Sequence, residues 1–146
     1  MSVDVETETT IERPRAEVAA FASDPDNVPR WYANIQSVEW KTPRPLAVGS
    51  RIAFVARFLG RRMTYTYEIA ELSDERLVMR TAEGPFPMET DYTFESLGQR
   101  GTRMTLRNRG DPKGFFRLAA PLMVGAMRQA NTKDLARLKS LLEQPG

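Results

Sequence analysis

The chain has 146 residues, 41% hydrophobic and 27% charged, a composition that fits a packed globular domain and not a disordered segment. Its 21 basic and 19 acidic residues leave a net charge of +2, with the basic residues scattered, which argues against a nucleic-acid partner. It contains no cysteine and no histidine, which excludes disulfides, thiol nucleophiles, Ser-His-Asp arrangements and most zinc or iron sites.

The opening MSVDVETETT is acidic and polar, unlike a signal peptide. The longest apolar run, Leu118 to Met127, is about half the length needed to span a bilayer, and Pro121 and Gly125 interrupt it. One cytoplasmic domain over residues 1–146, without a membrane span, is expected, as a monomer or homodimer.

Residues 2–11 alternate as a strand, with Val3, Val5, Thr7, Thr9 and Ile11 on one face. Pro14 suits the first position of a helix whose apolar side is Val18, Ala19, Phe21 and Ala22. Asp24-Pro25 reads as a cap and start for a second short helix through Val28 to Trp31. Val38 and Trp40 mark another strand, ended by Pro43 and Pro45.

From Gly49 to Arg109 the period is two. Strand 51–58 puts Ile52, Phe54, Ala56 and Phe58 on one face, and Gly60 turns a hairpin. Strand 62–72 follows with Met63, Tyr65, Tyr67 and Ile69, then strand 76–82 with Leu77, Met79 and Thr81. After the loop Gly84-Pro85-Phe86-Pro87, strand 88–97 turns Met88, Thr90, Tyr92 and Phe94 inward, and strand 102–109 turns Met104, Leu106 and Asn108 inward. The opposite faces are basic, acidic and basic in succession: Arg80, then Glu89, Asp91 and Glu95, then Arg103 and Arg107. Neighbouring strands therefore meet opposite charge, worth about 0.2–1 kcal/mol per pair, and a one-residue slip would bury the charges. Glu68 also points outward in this register.

Residues 114–120 read as a short or bent lead-in, with Pro121 in the first turn of a long helix ending near 143. Val124, Met127, Asn131, Leu135, Leu138 and Leu142 form its stripe. The expected architecture is α+β, a helix-grip fold. It has a seven-stranded curved antiparallel sheet around a long C-terminal helix, with two short helices between strands 1 and 2.

This order resembles the START/Bet v 1-like superfamily, specifically the SRPBCC, or polyketide cyclase/dehydrase and lipid-transport, proteins. The stretches that carry the likeness are TTIERPRAEVAAFASDPDNVPRWYANIQSVEW, VGSRIAFVARFLGRRMTYTYEIAELSDERLVMRTAEGPFPMETDYTFE, GTRMTL and KDLARLKSLLEQ. The resemblance implies the fold and a hydrophobic ligand such as a lipid, quinone or polyketide. The family's aromatic-ring hydroxylase members carry iron-binding histidines, so that activity is not implied. No catalytic motif carries over, and no catalytic residue, metal or cofactor is expected.

A sheet that curves away from its helix leaves a hollow between them, apolar with a few polar groups. The residues available to line it are Trp40, Phe54, Phe58, Met63, Tyr65, Tyr67, Met79, Met88, Thr90, Tyr92, Met104 and Asn108 from the sheet, and Met123, Met127 and Asn131 from the helix. Six of the seven methionines are in inward or helix positions, where they either fill gaps or adapt to a ligand. Each inward hydroxyl or amide needs a hydrogen-bond partner if the interior is dry. Trp40 also reads as packing, the tyrosines as rim groups, and Asn108 as a backbone partner near a strand end. Asn131 is the least expected in a core. Arg61-Arg62 reads as a solvated hairpin tip. Gly84 and Phe86 make a candidate gate, the alternative being a rigid turn with Phe86 packed on a neighbour.

Three functions compete. The first is carriage or sequestration of an apolar small molecule. The second is cofactor-free cyclase or dehydratase chemistry, with Tyr65, Tyr67 and Tyr92 as acids. An inward carboxylate would favour this reading, and the register provides none. The third is a non-enzymatic protein-interaction module.

Overall fold

The computed structural model describes residues 3–144. Ser2, expected in the first strand, lies outside them. The strands are β1 (Val3–Ile11), β2 (Ile35–Trp40), β3 (Arg51–Phe58), β4 (Arg61–Leu72), β5 (Arg76–Glu83), β6 (Met88–Leu97) and β7 (Gly101–Gly110). They form one curved antiparallel sheet in the order β1-β7-β6-β5-β4-β3-β2. The chain's first strand therefore closes beside its last, and the rest is a meander.

Between β1 and β2 lie α1 (Arg15–Ser23), a single 3-10 turn (Pro25–Asn27) and α2 (Val28–Trp31). Pro14 stands one residue before α1, a difference within the fraying of helix ends. Asp24 caps the turn, its carboxylate accepting the Asp26 N–H at 2.9 Å. After β7 come α3 (Phe115–Leu118) and the 24-residue α4 (Ala120–Glu143), with Pro121 in its first turn as expected. No helix among the described residues is long and apolar enough to cross a membrane.

The inward parity holds along β3 to β7, and bulges explain where simple alternation stops short. One interrupts the β2–β3 pairing between Ile35 and Ser37. Ile35 therefore shares the inward face with Val38 and Trp40 despite its odd number. A second lies between Ile69 and Glu71 on β4, and it turns Leu72 toward the core. The tip between β3 and β4 has Leu59 at φ 52° and Gly60 at φ 75°, the two positive values that a tight two-residue hairpin turn requires.

The outer face carries the alternating charge that the register predicts, with one difference. Glu89 and Asp91 point outward, yet they are 8% and 5% exposed because arginine side chains lie over them. Arg80 donates to Glu89 at 2.6 Å and Arg76 to Asp91 at 2.9 Å, and Arg109 pairs with both. Arginine stems are long enough to cover a neighbour while the guanidinium stays partly hydrated.

The main core lies under the second half of α4. Leu135 and Leu138 pack with Ile11, Trp31, Phe94, Met104 and Leu106, all almost completely buried. α4 runs along β1 and meets α2. Its first half faces something different.

Candidate functional site

Under the first half of α4 the sheet and helix do not meet. They enclose a cavity of about 120 Å³ that opens to solvent and is lined almost wholly by apolar surface. The sheet contributes Phe58, Met63, Tyr65, Tyr67, Met88 and Asn108, and the helix contributes Met123, Met127 and Asn131. All nine are among the residues expected from the sequence. A second void of about 50 Å³ lies deeper, bounded by Phe54, Met79, Thr90 and Tyr92. Tyr32, Ile35, Tyr65 and Tyr67 border both voids, so they form the partition between them.

Trp40 is placed elsewhere. Its indole N–H donates to Asp26 at 2.9 Å and the Arg44 guanidinium lies 4.6 Å from its ring centroid. A half-buried tryptophan near the sheet edge finds its polar partner in the 3-10 turn, not in the cavity. Met104 is fully buried in the main core and lines neither void.

The expected gate is a packed closure. Phe86 lines the cavity but is 4% exposed, 5.1 Å from the ring of Phe116 in an apolar cluster that includes Met123. It also lies over Gly110, where a Cβ would approach its ring to 3.3 Å. Gly84 is the other half of the expected gate. It lines neither void and instead permits a close approach, since a Cβ there would come within 3.1 Å of the Tyr65 Cβ. Phe86→Ala is expected to cost about 3 kcal/mol and to widen the mouth. Urea unfolding measures the first effect, and faster ligand exchange in a stopped-flow experiment measures the second.

The polar groups of the interior are mostly satisfied. The Tyr67 hydroxyl and Thr90 Oγ1 lie 2.7 Å apart, and Thr90 donates to Asn108 Oδ1 at 2.8 Å. The Tyr32 and Tyr92 hydroxyls bond each other at 2.9 Å. Burial raises the pKa of all four interior tyrosines, that of Tyr67 to about 12 against the pull of its Thr90 bond. Near neutral pH they are therefore protonated phenols and not bases.

Two lining groups do not fit a dry core. Asn131 is 6% exposed and its side-chain Nδ2 has no hydrogen-bond partner among the described residues. Asp134, one helical turn further on, is 2% exposed, and burial lifts its carboxyl to about 6. Its Oδ1 accepts the backbone N–H of Ala33 at 3.1 Å. Alternation along strands could not reveal Asp134, because it is on the helix. Its seven-residue spacing from Met127 on the same stripe was the available signal. Glu68, Glu89, Asp91 and Glu95 line neither void, as the register predicts. Tyr32 carries no sequence signal, because it follows α2 and belongs to no periodic segment.

A family model described as polyketide cyclase/dehydrase and lipid transport matches residues 2–143. The chain belongs to this family. Among solved structures, a protein of Thermus thermophilus is 24% identical, with a TM-score of 0.81 over 95% of this chain and 96% of that one. A START superfamily protein of Mycobacterium smegmatis is 13% identical, with a TM-score of 0.83 over 97% of each chain. The Zhui aromatase/cyclase of a Streptomyces species is 16% identical, with a TM-score of 0.79 over 96% of this chain and 93% of that one. These similarities establish the START/Bet v 1 helix-grip fold for this polyketide cyclase/dehydrase and lipid-transport family member. No curated protein matches the sequence significantly.

Proposed function

We propose that the chain binds a small hydrophobic molecule, of the lipid, quinone or polyketide kind, in the hollow beneath the first half of α4, and carries or sequesters it. The observation that supports this is an apolar, solvent-connected cavity walled by Met63, Met88, Met123 and Met127. A dry cavity of about 150 Å³ holds benzene, so at about 120 Å³ this one takes a single ring once its methionine walls give slightly. Longer ligands are accommodated by the four methionines, each unbranched with three rotatable bonds. Native mass spectrometry of the freshly purified chain tests the proposal. The expected result is a bound organic mass that solvent extraction removes. An unliganded mass that also fails to shift when apolar compounds are added contradicts it.

One observation favours a second reading, a cyclase or dehydratase acting on a similar ligand. Asp134 lines the cavity with a carboxyl raised to about 6 by burial, near the value useful for a general base. The neutral tyrosine hydroxyls would then serve as proton donors. Loss of turnover of a poly-β-ketone thioester in Asp134→Asn, with ligand binding retained, would distinguish this reading from plain carriage.

A further inference from the structure

Asn131 and Asp134 stand three residues apart on α4 and both line the cavity. Residues at this spacing are neighbours on one helix face. One of the pair lacks an acceptor: the Asn131 Nδ2–H group makes no hydrogen bond among the described residues. The other has spare accepting capacity, since Oδ1 holds the Ala33 N–H and Oδ2 makes no hydrogen bond with a described residue. Leaving such groups unpaired in an apolar interior is costly, and a ligand group that satisfies both recovers that cost. The interior already pairs Tyr32 with Tyr92 and links Tyr67, Thr90 and Asn108, which leaves this turn of the helix and the Tyr65 hydroxyl as the polar groups of the cavity wall open to a ligand.

The group that fits is one that donates and accepts at a single atom. A carbonyl can only accept and leaves Asp134 unanswered. An ammonium can only donate and leaves Asn131 unanswered. A hydroxyl does both, donating to the carboxylate and accepting from the amide. The amide turns about a soft two-fold torsion, so it can meet an incoming oxygen without moving the helix.

Building on the proposal that this cavity binds a small hydrophobic molecule, we infer that its ligand is a hydroxylated ring or enol whose hydroxyl sits between Asn131 and Asp134. The apolar remainder points along the methionines toward the Phe86 cluster. The same ligand suits the cavity whether it is carried or transformed.

The test is calorimetric titration with 4-methylphenol and p-xylene, two probes of nearly the same shape that differ by a hydroxyl against a methyl. A purely apolar cavity prefers p-xylene, because the hydroxyl loses its hydration without compensation. Wild-type protein is expected to prefer 4-methylphenol by about tenfold, the effect of one well-placed buried hydrogen-bonding group. Asn131→Leu, close in volume, is expected to reverse the preference while p-xylene binding is kept. Asp134→Asn, which retains an acceptor for Ala33, is expected to reduce the preference without reversing it. A wild-type preference for p-xylene, or an Asn131→Leu protein that still selects the phenol, overturns the inference but leaves the cavity reading intact. Failure of both probes to bind the wild-type protein overturns both.

Discussion

Replacing Asp134 by asparagine is expected to stabilise the fold above about pH 6 and to leave it nearly unchanged below pH 4. The carboxyl lies at about 6 in the folded chain against an ordinary 3.8, mainly because burial penalises its charge. The Ala33 N–H and the Arg137 guanidinium offset that penalty only in part. Folding therefore favours the protonated form. Between the two values the native state holds more proton than the unfolded state, so stability falls as pH rises. The loss begins near pH 4, is complete above about 6, and amounts to about 3 kcal/mol at one pKa unit per 1.36 kcal/mol. Asparagine cannot ionise, keeps an oxygen for Ala33 and escapes the loss. Urea unfolding of both proteins from pH 4 to pH 8 measures it. Two curves that stay parallel across that range would show that Asp134 does not carry the buried charge. A measured gain of this size would place Asp134 among residues that cost the fold stability, as binding and catalytic groups often do.

Trp31→Ala is expected to have the largest effect in the opposite direction, a loss of about 3–5 kcal/mol. Trp31 is fully buried, with ring centroids 4.3 Å from Tyr32 and 5.7 Å from Tyr92. Its indole N–H has no hydrogen-bond partner among the described residues, so truncation removes volume and ring contacts without breaking a hydrogen bond seen there. Trp31→Phe should therefore recover most of the loss, since it retains a ring and gives up only an unused donor. A loss of 3–5 kcal/mol is a large share of the 5–15 kcal/mol typical of a folded domain. The same substitution frees Tyr32, which forms part of the partition between the two voids, so weaker ligand binding should accompany it. A Trp31→Ala protein within 1 kcal/mol of wild type in urea would contradict the core described here.

The fold was legible because its sheet is amphipathic on a strict period of two, and because Pro14, Asp24, Gly60 and Pro121 punctuate it at element ends. The charge alternation on the outer face fixed the register independently, and the pairing of Arg80 with Glu89 and of Arg103 with Glu95 follows from it. The cavity wall was legible for the same reason: parity alone assigns Phe58, Met63, Tyr65 and Met88 to one face. What parity could not show is which inward residues meet the helix and which stand away from it. Met104 and Phe94 reach the second half of α4, whereas Met63 and Met88 border the open space beneath the first half. That division depends on sheet curvature, which is a property of the whole sheet. Ile35 was hidden by a bulge, and Tyr32 by a segment with no period. Asp134 is not legible as a cavity residue, because an acidic residue on a helix is ordinarily solvated. Parity turns Trp40 inward, but its indole N–H bonds Asp26 at the sheet edge, away from the cavity.

The central claim is that sheet and helix leave a hollow between the methionines of β4 and β6 and those of α4. Diffraction from a crystal pressurised with xenon tests it most directly, since xenon enters dry apolar cavities. The account predicts xenon density between Met63, Met127 and Tyr65. Finding those three side chains in mutual contact, with no xenon among them, would contradict it.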